Sequence, residues 1–279
     1  MKNSILLVLL CNVSMKIYAQ QLYVVHENEN EIFIYTQELL NDSNISKNDS
    51  IFYYNYHYNE RYSMSISELK NIKVLDPYNS DRENGLLFYD EAMALDKSKL
   101  TNIPSHYSYA YIAIGQKNPF LAKGDIHPVK WKEIDKNTLK IPKTYIEEAI
   151  NDSPCRTENW EVNKIFESQY NTYDLYAYEI TTIDKCWGYY LAFINKKNDE
   201  IVWTELFRSN EEKYTNEINP TFREDLHINY DDYYDRMRIG IFMKSKSIAF
   251  FGIQSYSIGC EEIFFINDET IELSCINNH

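Results

Sequence analysis

The amino-acid sequence predicts a β-rich α+β protein of antiparallel sheets and meanders with a few short helices. Three observations carry that prediction. The runs DLYAYEIT (174–181), CWGYYLAFI (186–194) and IVWTELF (201–207) are dense in β-branched and aromatic residues and are separated by short polar turns. HYSYAYIAIG (106–115) alternates with period two, Tyr107, Tyr109 and Tyr111 on one side and Ser108, Ala110 and Ile112 on the other. Helix start signals, by contrast, are few, and each is followed by a short stretch.

Taken in order, the first nineteen residues read as a secretory signal peptide. Lys2 supplies the positive end, Ile5 to Leu10 the apolar run, and Ala19 the small residue before a cut. That run falls short of the roughly 20 residues a bilayer span needs. Cys11 follows Leu10 rather than a small residue, which disfavours lipid attachment. The mature chain then starts at Gln20 and is secreted or periplasmic.

LYVVH (22–26) and EIFIYT (31–36) read as a hairpin or two early strands, and 41–50 is a polar loop with three N-x-S sequons. IFYYNYHY (51–58) is a strand. Ser65-Ile66-Ser67-Glu68 is a capping box and predicts a short helix to about Ile72. Asp76 to Ser80 is a turn; a strand at Leu86–Tyr89 and a helical stretch near Glu91–Leu95 follow. Pro142 in a first turn predicts a helix over 142–151, ended by Asn151-Asp152-Ser153-Pro154.

That end is the best candidate boundary. It divides an N-terminal β-rich α+β region, residues 20–150, from a C-terminal antiparallel meander, residues 151–279, and the two also fit one continuous domain. After the three strands named above, a short helix is expected within 220–237. Strands at IGIFMK (239–244) and SIAFFGI (247–253) come next, then a hairpin of 261–266 and 271–275.

Four cysteines remain after cleavage: Cys155, Cys186, Cys260 and Cys275. In an oxidising compartment they form a disulfide framework. A two-residue turn at Asn267-Asp268 would set Cys260 opposite Cys275, a four-residue turn would shift the partners but keep both sulfurs on one face, and either leaves Cys155 for Cys186; buried free thiols are the alternative. No C-x-x-C occurs, and Cys275 with His279 is a lone C-x-x-x-H at the chain end, so neither a metal site nor a cofactor is expected.

Charge bounds the partners. The chain carries 28 basic and 42 acidic residues, and removal of Lys2 and Lys16 leaves the mature chain 26 against 42, a formal charge of −16. Such a surface repels nucleic acid and favours a basic partner. The densest patch is Glu224, Asp225, Asp231, Asp232 and Asp235. It lacks the glycine and glutamate spacing of an EF-hand, and a solvated acidic face accounts for it.

Tyrosine is abundant, at 25 residues, in clusters that suit either strand packing or an aromatic surface for a protein or a glycan. Tyr230, Asp231, Asp232, Tyr233, Tyr234 and Asp235 combine charge with aromatic anchors and are the candidate binding residues. No G-x-S-x-G, Walker or G-x-G-x-x-G motif is present, and Ser67-Glu68-Leu69-Lys70 is a chance S-x-x-K. The expectation is an exported, non-catalytic binding protein with no membrane span. The alternative is a secreted hydrolase acting on polysaccharide or peptide, whose two carboxylates need not be near in sequence.

Sequencing the N-terminus of the exported protein is expected to give Gln20. An intact Met1, or a lipid on Cys11, would overturn the export reading.

Overall fold

The computed structural model describes residues 21–40, 45–56, 60–76, 80, 84–99, 110–137, 139–152, 160–182, 187–210, 213–218, 220, 237–256 and 260–274. The described residues are β-rich, 59% strand against 9% helix, with two α-helices and five antiparallel sheets among them, which is the fold class the sequence predicts. The first half holds β1 (Leu22–Val24), β2 (His26–Glu27), β3 (Glu31–Tyr35), α1 (Thr36–Leu40), β4 (Ser50–Asn55), β5 (Glu60–Ser65), β6 (Lys70–Leu75), β7 (Tyr89–Asp96), β8 (Ala110–Gly115), β9 (Phe120–Pro128) and β10 (Lys132–Ile134). Next come α2 (Lys143–Asn151), β11 (Trp160–Tyr170), β12 (Tyr173–Thr182), β13 (Trp187–Asn195), β14 (Glu200–Arg208) and β15 (Lys213–Thr215). The chain closes with β16 (Arg238–Met243), β17 (Ala249–Phe251), β18 (Gln254–Tyr256), β19 (Glu262–Phe265) and β20 (Ile271–Glu272).

Four sheets stack face to face. Sheet I has the order β2-β3-β7-β6, sheet II β1-β8-β4-β5, sheet III β20-β19-β17-β16-β9 and sheet IV β10-β11-β12-β13-β14, while β15 and β18 form a small ribbon. Ile32 and Ile34 of sheet I meet Tyr53 and Ile112 of sheet II. The other face of sheet II, with Phe52, Tyr54 and Tyr111, packs on Phe242, Phe251 and Phe265 of sheet III. Phe250 and Phe264 on the opposite side of sheet III pack on Leu191, Phe193 and Phe207 of sheet IV. Ile146 and Ile150 of α2 then cover Tyr178, Tyr190 and Ala192 on the outer face of sheet IV.

Because successive side chains alternate between faces, a strand buried on both sides must be apolar almost throughout. β13, with every residue from Gly188 to Ile194 buried, reads that way. The tyrosines follow the same rule: Tyr53, Tyr54, Tyr111, Tyr178, Tyr189 and Tyr190 are all core residues. Of the two uses open to the tyrosine clusters, strand packing is the one these residues serve. Burial, only partly offset by Arg61, pushes the Tyr54 hydroxyl up to about 12, so the ring enters the core uncharged.

The structure corrects four local expectations, the first being the strand expected at Leu86–Tyr89, which begins only at Tyr89 as the start of β7. The capping box at Ser65 and Glu68 forms, but it opens a single 3-10 turn, Ile66–Glu68, and the chain then enters β6 instead of continuing as helix to Ile72. Ile72 and Val74 alternate toward the outer face of sheet I, so packing favours strand there. Residues Glu91–Leu95 are likewise strand, inside β7, where Ala92 and Ala94 pair with Tyr35 and Phe33. In the terminal hairpin Glu262 faces Glu272 and Ile263 faces Ile271, one residue away from the register that sets Cys260 opposite Cys275. A left-handed Asn267 lengthens that turn.

Cys260 is disulfide-bonded. Cys155, Cys186 and Cys275 lie outside the described residues, so no bridge is described at both ends. The helix expected within 220–237 also falls on residues 221–236, which are not described.

Strands from either side of residue 150 share sheets: β9 pairs with β16, Gly240 facing Ile126, and β10 pairs with β11. Gly240 has φ +154°, and a Cβ there would run into the Asp125 carbonyl on β9. Only a residue without a side chain lets these strands approach. Gly240→Ala is expected to cost about 3 kcal/mol through strand displacement, seen as a Tm drop of roughly 10 °C. An unchanged Tm would show that the pairing tolerates the methyl group.

Candidate functional site

The sequence-derived binding residues Tyr230, Asp231, Asp232, Tyr233, Tyr234 and Asp235 lie outside the described residues. A different site is visible, and it follows from one break in the strand pattern. β14 pairs with β13 so that Phe207 lies across from Tyr189, Glu205 across from Leu191 and Trp203 across from Phe193. Trp203, Glu205 and Phe207 therefore share the face that packs toward sheet III. Trp203 and Phe207 join the aromatic core there, with rings 6.4 and 6.3 Å from Phe250. Glu205 is the carboxylate placed where the alternation asks for an apolar residue.

β19 of sheet III contributes the second acid. Phe264 sits edge-on to Phe207 at 4.8 Å, and Glu262 projects from the same face of β19 two residues earlier. Lys213, brought in by β15, holds its Nζ 3.4 Å from Glu262 Oε1 and 3.5 Å from Oε2. Gln254 on β18 donates from Nε2 to the Arg208 carbonyl at 3.4 Å. These groups bound a cleft of about 590 Å³. Its walls include Glu205, Phe207 and Glu262 from one face of β14 and its facing strand, and Thr204, Leu206 and Tyr190 from the other. A cavity touching both faces of one strand must lie against that strand's edge.

The carboxylates are not equivalent. Glu262 is engaged by Lys213, whereas Glu205 accepts no hydrogen bond among the described residues. As a residue Glu205 is exposed, yet atoms packed around its carboxyl desolvate it. That desolvation, and then the charge of Glu262, raise its pKa above the ordinary 4.5, while Lys213 pulls it partly back. The site can therefore hold a cationic group, or keep a carboxylic acid protonated above its usual range.

The sequence contained the signal: in Trp203-Thr204-Glu205-Leu206-Phe207 an acid occupies the apolar register of a strand already recognised as such. What it could not supply was Glu262 and Lys213, from strands distant in the chain.

Other constellations are structural. Asp125 and His127 sit two apart on β9 and hydrogen-bond to each other, and Tyr170 donates to Asp125 Oδ2 at 2.8 Å. His26 Nε2 lies 3.1 Å from the buried Glu38 and its ring stacks on Phe33. His57 and His106 lie outside the described residues. Among the described residues no three His, Cys, Asp or Glu side chains converge as metal ligands, and no helix is long and apolar enough to cross a membrane. Compared with known proteins, the chain matches no family model, no curated protein and no solved structure.

Since the folded state raises the Glu205 pKa, ionising this group costs stability. The cost is absent below the unfolded value near 4.5 and is complete once the pH exceeds the folded value. Glu205→Gln is accordingly expected to raise Tm at neutral pH, with the gain vanishing as the pH falls below 4.5. A pH-independent effect would show that Glu205 titrates normally.

Proposed function

We propose that this chain is an exported acidic binding protein that takes a basic group of a protein partner into the β14 cleft. The supporting observation is Glu205, a desolvated carboxylate that accepts no hydrogen bond among the described residues, beside an acid already paired to Lys213. A lysine or arginine side chain would supply the missing counter-charge. The formal charge of −14 on the whole chain would steer such a partner toward it. The acidic and tyrosine-rich run Tyr230–Asp235 belongs to the same reading as a second contact region.

The disulfide framework of an exported protein is part of the proposal: Cys260 with Cys275 and Cys155 with Cys186, to be read by non-reducing peptide mapping.

A hydrolase acting on polysaccharide or peptide is the second reading, and one observation favours it. Glu205 is pushed toward the acid form while Glu262 is held by a cation, the division of labour a carboxylate pair needs.

Titration with poly-L-lysine separates the two. Binding should weaken about tenfold, or about 1.4 kcal/mol, in Glu205→Gln and fall with added salt. Equal affinity of the variant and the parent would overturn the binding reading. Release of sugar or peptide fragments that is lost in both Glu205→Gln and Glu262→Gln would establish the hydrolase.

A further inference from the structure

Among the described residues β14 is a sheet edge: it is the terminal strand of sheet IV and pairs only with β13. Among the described residues no hydrogen bond from elsewhere reaches the backbone of 201–207, and cover begins only at the Arg208 carbonyl, where Gln254 donates. In an antiparallel strand every second residue turns both its N–H and its C=O outward, so this stretch offers a row of donors and acceptors. The cleft runs along that row, since it touches Thr204 and Leu206 on one face and Glu205 and Phe207 on the other.

An inward-pointing charge on an edge strand is a common guard against edge-to-edge association. Here the same charge also sets a selection rule. A strand laid beside β14 places a side chain directly across from Glu205, about 5 Å away. An apolar residue there would strip water from the carboxylate without replacing it, and an acidic one would repel it. A basic side chain meets the carboxylate best, supplying both a hydrogen bond and the counter-charge. Two residues along the same face lies Trp203, partly buried against Phe193, which favours an apolar partner. The residue between faces Thr204 on the other side of the sheet.

We infer that the β14 edge receives an extended segment of the partner as an added strand, with a lysine or arginine across from Glu205 and an apolar residue two positions away across from Trp203. This rests on the cleft being the binding site for a basic group and adds the form in which that group arrives. Backbone hydrogen bonds supply affinity, and the apolar-x-basic spacing supplies specificity.

The probe is a capped pentapeptide, valine-threonine-lysine-threonine-valine, whose symmetry fits either strand direction. It is compared with an isomer carrying the lysine first, and with a version N-methylated at the two threonines. Binding to the intact protein is measured by calorimetry, together with amide hydrogen exchange over residues 201–207. The pentapeptide should bind and slow exchange in that stretch. Each of the two altered peptides, and Glu205→Gln with the parent peptide, should bind about tenfold more weakly or worse.

N-methylation changes neither the peptide's charge nor the protein, so it tests strand addition without disturbing the fold. If all three peptides bind alike, or if Glu205→Gln leaves the parent peptide's affinity unchanged, the added strand is overturned. In the first case the cleft as a site for basic groups survives. If no lysine peptide binds, the cleft reading falls with it.

Discussion

Phe250 and Phe264 leave one face of sheet III for sheet IV, and Phe251 and Phe265 leave the other for sheet II. With neither face toward water, the strands β16, β17 and β19 of sheet III require that the sheets on both sides bring apolar surface and that they themselves be apolar at nearly every position. This explains why tyrosine suits the molecule so well. Its ring fills a buried layer while its hydroxyl reaches the layer's margin: Tyr189, between sheets, accepts from Ile218 N at 3.1 Å, and Tyr178, beneath α2, accepts from Lys140 N at 3.3 Å. Phenylalanine would fill the same space but leave those backbone donors without an acceptor.

A stack of sheets must end, and how it ends decides where chemistry can happen. Between sheets III and IV the aromatic layer of Phe207, Phe250 and Phe264 gives way to Glu205, Glu262 and Lys213 at the β14 and β19 side. Two carboxylates and one ammonium at the mouth of a hydrophobic layer are poorly hydrated but not sealed off. Their mutual influence is therefore stronger than on an open surface. The shift in Glu205 follows from its position in the layer and needs no dedicated catalytic scaffold.

Much of this architecture was legible in the sequence where one strand carries its own evidence. β12, β13, β16 and β17 show their apolar runs directly because both faces are buried, and β14 shows its own through β-branched and aromatic residues along a half-exposed edge. β11 was not legible, although it is eleven residues long. A register shift between Val162 and Lys164 breaks its alternation, so Ile165 and Phe166 look like an isolated pair. β9 carries Gly124 and a terminal Pro128, which read as turn material, and it is strand because β16 holds it. β7 looked helical near Glu91–Leu95 because two alanines and a methionine favour helix locally. Pairing with β3 and β6 overrides that preference. The site was half legible for the same reason: Glu205 stands out within its own strand, whereas its companions are neighbours only in space.

β1 gains hydrogen bonds from the far end of the chain. Val24 N donates to Ser274 O at 3.1 Å, and Ser274 N donates to Leu22 O at 2.7 Å. Some 250 residues of chain separate those partners, and β9 with β16 closes another wide loop. Loop entropy must be spent before such contacts return anything, so this topology folds slowly and late. A nascent chain not yet extended to Ser274 has Leu22 and Val24 without those hydrogen bonds. During synthesis, β1 can dock on β8 long before it gains this second neighbour, so the strand is fastened in two steps set by the order in which the chain emerges.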